Sequence, residues 1–409
     1  MPNGFSEDKN TFFSPNSKIQ FEMMQQGKDF YQTAKYKGPQ GEQKSTTRID
    51  LVLGAGGTAD DVFLSWHDDG TMRELPMVWL YPSQCWSTSH FDPNSGGDFS
   101  RPLTIRCFEC HNTWAVHVPG TLNQYSRDGR ILGVTCESCH GPAANHVDFH
   151  QTNPTSKIGT HIVRPSRLER ERQIEVCTQC HSNAMKHLGP AFQFRPGYTL
   201  ANHYKTIETS ATEDDRVANQ ITYLRKSKCF QKSEMACATC HNPHQPSSPS
   251  NSGSSNCAKC HQPTHCTDAM NIPAGVRGEC VSCHMPSYLK INVNFETESN
   301  NYVPPIRRYE HRIAIHNHAR DETLLHYYRQ RSDGESRAKV HELTEHLVEH
   351  FQKEADQAQK EYRYLAVVAA LREMVRFKDT PENRKVLQQA VEFQTNLDKY
   401  STTAQRQLL

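Results

Sequence analysis

The sequence predicts a mainly α fold with much irregular structure, a small N-terminal β-hairpin or sheet and a C-terminal helical segment. Three observations lead there. Beyond residue 305, apolar residues recur at helical spacing. Between residues 107 and 284, one short cysteine–histidine signature and irregular connections dominate. Ahead of that stretch, two apolar-aromatic runs flank a single turn signal.

In chain order, residues 1–45 are polar and weakly patterned and read as an irregular N-terminal segment. "TTRIDLVLGAGG" and "DVFLSWHDDGTMRELPMVWLY" read as strands, with "DDG" as the hairpin turn, so a small sheet is expected over 46–82. That sheet and the cysteine-rich stretch form one domain, 46–305. The last segment, 306–409, holds three helices. "ESRAKVHELTEHLVEHFQKEADQAQKE" places Val340, Leu343, Leu347 and Phe351 three to four residues apart. "YRYLAVVAALREMVRF" is a more apolar helix. "DTPENRKVLQQAVEFQTNL" starts with Thr380 as N-cap and Pro381 at the first helical position.

The 46 basic and 45 acidic side chains give a formal charge of +1, and no polybasic stripe points to nucleic acid. The longest apolar run, Leu365 to Leu371, is too short to span a bilayer, so a soluble chain without a transmembrane segment is expected. Hydrophobic residues make up 35% of the 409, against about 45–50% in ordinary globular domains. Such a chain stays partly disordered or imports apolar mass. Fifteen cysteines and 23 histidines favour import.

Cys-x-x-Cys-His occurs six times: "CFECH" at 107–111, "CESCH" at 136–140, "CTQCH" at 177–181, "CATCH" at 237–241, "CAKCH" at 257–261 and "CVSCH" at 280–284. Composition alone predicts about 0.03 copies. Cysteines at i and i+3 on a helical turn face the same way and form thioethers with the two vinyl groups of one porphyrin. The next residue then swings its imidazole under the iron. Zinc needs four ligands from paired knuckles and no histidine abutting the second cysteine, and a redox dithiol needs no repetition. Six covalently attached haem c groups are the expectation. Cys107, Cys110, Cys136, Cys139, Cys177, Cys180, Cys237, Cys240, Cys257, Cys260, Cys280 and Cys283 attach them, with proximal His111, His140, His181, His241, His261 and His284.

Distal candidates lie on short tethers from these motifs: His117, His146, His244 and His265, with His161, His187 and His311 carrying a weaker signal. Each of them also has the ordinary reading of a surface or satisfied polar residue. Bis-histidine ligation gives low-potential, six-coordinate iron suited to electron transfer. Met235, Met270 and Met285 read as packing residues. Cys85, Cys229 and Cys266 fall outside the motifs; Cys229–Cys266 is a candidate disulfide whose pairing spacing does not fix. "HELTEH" at 341–346 fits no zinc-protease spacing and reads as a solvated helix face. The 17 residues from Cys240 to Cys257 span at most about 60 Å, so the last three attachment sites are expected to be neighbours.

"SWHDDGTMRELPMVWL", "RCFECH", "GVTCESCHGPAANHV", "CTQCHS", "MACATCHNPH", "CVSCHMP" and "YEHRI" together resemble the multihaem c-type cytochromes of the cytochrome c-554, hydroxylamine oxidoreductase and nitrite-reductase-like superfamily. The likeness covers about residues 50–320 and is most specific at the haem motifs. It implies a periplasmic or extracellular protein with closely stacked, mostly bis-histidine haems, and His146, His244 and His311 as distal ligands. Two departures stand out. Relatives carry an export signal and a further upstream motif, whereas this chain starts "MPNGFSEDKN" without an apolar h-region, so a truncated or late start is expected. The nitrite reductases use a lysine in place of one motif histidine, and no "CxxCK" occurs here.

Electron transfer to redox partner proteins is the leading expectation, with no catalytic residue assigned. The rival is an oxidoreductase acting on a small nitrogen or sulfur species at one open haem, its pocket sought in "FRPGYTLANHYKTIETS" between Cys177 and Cys237. A haem-bearing scaffold is the third class. Haem order, potentials and oligomeric state are not encoded legibly.

Overall fold

A computed structural model describes residues 4–6, 9–38, 41–54, 57, 59–89, 99–182, 185–207, 219–245, 253–262, 266, 268–289, 296 and 307–407, with backbone alone from 398 onward. It overturns the mainly α expectation. About 39% of the chain is helical and 22% is in strands, with a large N-terminal β-rich region.

Residues expected to be an irregular lead-in instead build an antiparallel sheet: β1 (Thr11–Phe13), β2 (Gln20–Gln26), β3 (Asp29–Gly38) and β4 (Gly41–Ile49), in that spatial order. A two-residue turn joins β2 to β3, with Gly27 at φ +62° between paired Gln26 and Asp29. That glycine was the legible signal. The apolar pattern was not, because each strand of this sheet buries few hydrophobic side chains. Edge strand β4, "GEQKSTTRI", buries none completely.

The second sheet contains β5 (Leu51–Gly54), β6 (Asp60–Trp66), β7 (Met72–Leu80) and β8 (Cys85–Thr88), again in order and antiparallel. The expected hairpin is β6–β7. Gly70 takes φ +83°, and Asp69 Oδ1 accepts from the Thr71 amide at 2.8 Å. Phe12, Phe21 and Met23 of the first sheet share a core with Phe63, Met77, Trp79 and Trp86 of the second. Gln32, fully buried on β3, ties the sheets together. Its Nε2 donates to the Met77 carbonyl at 2.8 Å, and its Oε1 accepts from the Met77 amide at 3.1 Å. The other face of the second sheet puts Leu64, Trp66 and Met72 into a separate cluster with Phe108 and Tyr125. Burial on both faces explains why β7 reads as a nearly continuous apolar run.

After the sandwich come α1 (Ile105–His111), β9 (Asn112–Trp114), β10 (Ile131–Leu132), α2 (Cys136–His140), α3 (Ala144–Thr152), α4 (Arg170–Thr178), β11 (Met185–His187) and β12 (Tyr204–Thr206). Then follow α5 (Gln220–Arg225), α6 (Lys228–Gln231), α7 (Cys237–Cys240), α8 (Cys280–His284), β13 (Ser287–Leu289) and β14 (Arg307–Tyr309). The chain ends with α9 (Asn317–Arg329), α10 (Gly334–Lys360), α11 (Tyr364–Phe377) and α12 (Pro381–Gln407). The chain divides into two compact units. One holds Met1–Cys180, Ala184–Glu208 and Val293–Ile306; the other holds His181–Asn183, Thr209–Asn292 and Arg307–Leu409.

In the second unit the three expected C-terminal helices form, preceded by α9. Asp333 caps α10 by accepting from the Ser336 amide at 2.8 Å, and Thr380 Oγ1 accepts from the Asn383 amide at 3.2 Å at the start of α12. Leu343, Leu347 and Phe351 of α10 pack against Val367, Leu371, Met374 and Phe377 of α11. His341 and His346 stay on the open face of α10, with His346 Nδ1 3.7 Å from Asp321 of α9. Among the described residues no helix is long and apolar enough to cross a membrane.

Candidate functional site

Each described motif makes a single tight turn that brings its two cysteines to one side. The Cys180 amide donates to the Cys177 carbonyl at 3.1 Å, the His241 amide to the Cys237 carbonyl at 3.0 Å, and the His261 amide to the Cys257 carbonyl at 2.9 Å. On α1, Phe108 stands between Cys107 and Cys110, is fully buried, and anchors the helix on the second sheet beside Tyr125, ring centres 5.0 Å apart.

In the first unit, three motifs interlock. Cys110 Sγ faces the Gln179 carbonyl at 3.9 Å, and Cys180 Sγ faces the Cys110 carbonyl at 4.0 Å. The two sulfurs also meet each other. Hydrogen bonding from Cys180 lowers the Cys110 thiol to about 7, against burial and with help from Arg106, while the same contact and burial push Cys180 up. The Arg106 guanidinium donates to the Gln179 carbonyl. Thr113 Oγ1 lies 2.8 Å from Ser138 Oγ of the second motif. In the second unit, Asn256 Nδ2 donates to the Cys240 carbonyl at 2.9 Å, and the Val281 amide donates to Ser254 Oγ at 3.4 Å, so the last three motifs also adjoin. Neither Cys229 nor Cys266 forms a disulfide.

The histidines show a shared hydrogen-bond pattern. His140 Nδ1 donates to the Val163 carbonyl at 2.8 Å, and His284 Nδ1 donates to the Ala314 carbonyl at 2.8 Å. His181 Nδ1 donates to Gln220 Oε1 at 3.2 Å, and His111 donates to the Gly54 carbonyl. Burial lowers both His111 and His181 from the usual imidazole range, against the rise from those acceptors. Because a carbonyl only accepts, Nδ1 carries the proton in His140 and His284 and leaves Nε2 as a lone-pair donor, the arrangement metal-ligating histidines use.

Among the distal candidates, His146 repeats the pattern, donating from Nδ1 to the Thr160 carbonyl at 2.7 Å, and so does His311, donating to the Tyr309 carbonyl at 3.0 Å. His117 stands beside Tyr125 and buries its Nε2 without a hydrogen-bond partner among the described residues. His187 spends its Nε2 on Glu109, at 2.6 Å. His161 adopts φ +57° on an exposed turn, and His244 is exposed. His265 lies outside the described residues. The His241 and His311 ring centres lie 6.2 Å apart, with planes 24° from parallel. Burial, then the neighbouring His241 and His181, lower His311 against the pull of the Tyr309 carbonyl.

The residue that sequence reasoning missed is Glu109, an interior position of "CFECH" where the motif specifies nothing. Its carboxylate is 4% exposed and accepts from His187 Nε2, the Phe192 amide at 2.6 Å and Tyr204 Oη at 2.8 Å, with Arg106 at 3.3 Å. Burial pushes this carboxyl up, but His187, the Phe192 amide and Tyr204 outweigh it and leave the group below the usual range. The network locks α1 to the β11–β12 hairpin. A zinc knuckle needs four converging ligands; among the described residues, no group of three or more His, Cys, Asp or Glu is placed to hold a metal ion.

No curated protein and no solved structure matches the chain. Residues 93–141, which contain the first two motifs, match the family model described as cytochrome c554 and c-prime. That match covers 49 of the 409 residues and marks a likeness of this segment to c-type cytochromes.

Proposed function

We propose that the chain is a hexahaem c-type cytochrome that carries electrons through mostly bis-histidine haems, in the periplasm or outside the cell. When bound, haem c supplies an iron that alternates between ferric and ferrous states. The chain's share is attachment, ligation and spacing. The twelve motif cysteines would form the thioethers, and the six motif histidines would ligate from the proximal side. His117, His146 and His311 are the favoured distal ligands.

The His241–His311 pair carries this reading. Two imidazoles that pointed ring nitrogens at one metal ion from opposite sides would need two bonds of about 2.0 Å plus about 1.1 Å from each nitrogen to its ring centre, about 6.2 Å in all. The observed separation is 6.2 Å. The carbonyl acceptors on His140, His146, His284 and His311 support it further, because they aim Nε2 and hold each ring still through a change of oxidation state. Contact between Cys110 and Cys180, and between the fourth, fifth and sixth motifs, supports short steps between neighbouring cofactors. Haem c is attached outside the cytoplasm, which supports the location.

Exposed apolar side chains fit the same reading. Val116, Val118, Leu122, Ile131, Leu132 and Val134 are all exposed and lie around the first two motifs, where porphyrin faces would cover them. Two measurements test the proposal. Intact mass of matured protein should show six haem-sized increments, and fewer would refute the count. Electron paramagnetic resonance should show low-spin ferric haem with slow cyanide binding. A dominant high-spin signal with rapid cyanide binding would replace the carrier with an enzyme open at one iron.

A further inference from the structure

A small cleft in the second unit is lined by Asn219, Gln220, Tyr223, Tyr288, Arg308, Tyr309 and His311. Its lining includes no carboxylate, although it contains a guanidinium. Arg308 Nε is buried and has no hydrogen-bond partner among the described residues. A buried donor on a charged group is rarely left unpaired, because the group loses its water and gains nothing in exchange. The neighbouring Arg307 is provided for, pairing with Glu373 and donating to Ser287, and the nearby Glu310 carboxylate turns to the Arg312 backbone amide. Strand pairing of Arg308 with Tyr288 fixes its backbone. Its charge also acts on His181.

We propose that this cleft binds a carboxylate or small oxyanion beside His311, with Arg308 as the principal donor. Guanidinium matches such groups in charge and planarity, and the tyrosines give the cleft polar and apolar faces. The carboxylate has two sources, a propionate of the haem held at His241 and His311 or a free small oxyanion. The proposal rests on haem attachment at the fourth motif, and haem content reports the failure of that reading separately.

The test uses full-length, haem-loaded protein as wild type, Arg308→Gln and Arg308→Lys. Haem content, optical redox titration, resonance Raman spectra and a nitrite titration with a chloride control at equal ionic strength are measured on each. With haem content unchanged, Arg308→Gln should move one redox component to lower potential, because a nearby positive charge no longer stabilises the reduced form. A propionate source is established by a shifted propionate-bending band in both variants, with no response to nitrite. A free-oxyanion source is established by a saturable nitrite difference spectrum in wild type that Arg308→Gln abolishes. Should Arg308→Gln fail to load haem, the Raman band of Arg308→Lys and the wild-type nitrite titration decide. Unshifted potentials and bands together with no saturable nitrite response would overturn the proposal.

Discussion

Replacing Glu109 by alanine removes the acceptor of Arg106, which keeps the Gln179 carbonyl, and strands three donors, His187 Nε2, the Phe192 amide and Tyr204 Oη, at a position only 4% exposed. At about 1–3 kcal/mol for each stranded donor, the gross cost is about 3–9 kcal/mol. Two effects reduce it. Water enters part of the vacated space, and Phe192, held at φ +58°, is released from a left-handed conformation that costs about 1–2 kcal/mol. The expected net loss is about 3–5 kcal/mol, the range for removing one partner of a buried charged pair. Guanidinium unfolding followed by far-ultraviolet circular dichroism measures it. Tyr204→Phe should cost about 1 kcal/mol alone, and the Glu109→Ala/Tyr204→Phe double variant should lose less than the two single losses combined. A Glu109→Ala loss under about 1 kcal/mol, or strict additivity with Tyr204→Phe, would show that the network does not hold α1 to the β11–β12 hairpin.

His311→Gly should convert one haem to a high-spin, cyanide-binding form that added imidazole returns to low spin, whereas His187→Gln should leave the optical spectrum unchanged. An unaltered His311→Gly spectrum would remove that ligand assignment. Gln32→Leu strands both the amide and the carbonyl of Met77 and should cost about 2–4 kcal/mol, read as a lower denaturant midpoint; a neutral effect would mean that the sheets do not depend on this clamp. The α9–α10 pair should weaken in mild acid. Burial, followed by His350, lowers His318, with its ring centre 4.4 Å from that of His350, Glu354 and Glu322 opposing and His316 reinforcing. A depressed imidazole favours the neutral form in the fold, so its contribution is complete above about pH 6.5 and declines as pH falls through the folded value. Melting temperatures from pH 7.5 to 5 should fall more steeply for wild type than for His318→Leu, and equal slopes would exclude this pair as the cause.

The sequence by itself determined the spacing of the cysteine–histidine motifs and the C-terminal helices. Cys-x-x-Cys-His carries its own geometry, because i and i+3 positions share a face whatever surrounds them, and the C-terminal helices announce themselves through Val340, Leu343, Leu347 and Phe351 and through Thr380–Pro381. The first sheet was less visible because a strand such as β4 places its few inward side chains against a partner sheet that lies elsewhere in the chain. Only the tertiary structure decided that. It also decided which ring nitrogen each histidine spends on a hydrogen bond, since the acceptors concerned, Val163, Thr160 and Tyr309 carbonyls for His140, His146 and His311, and Glu109 for His187, have no fixed spacing from the rings they hold. Spacing along a helix is a local property that sequence encodes; the orientation of an imidazole depends on which backbone oxygen folding brings to its other nitrogen.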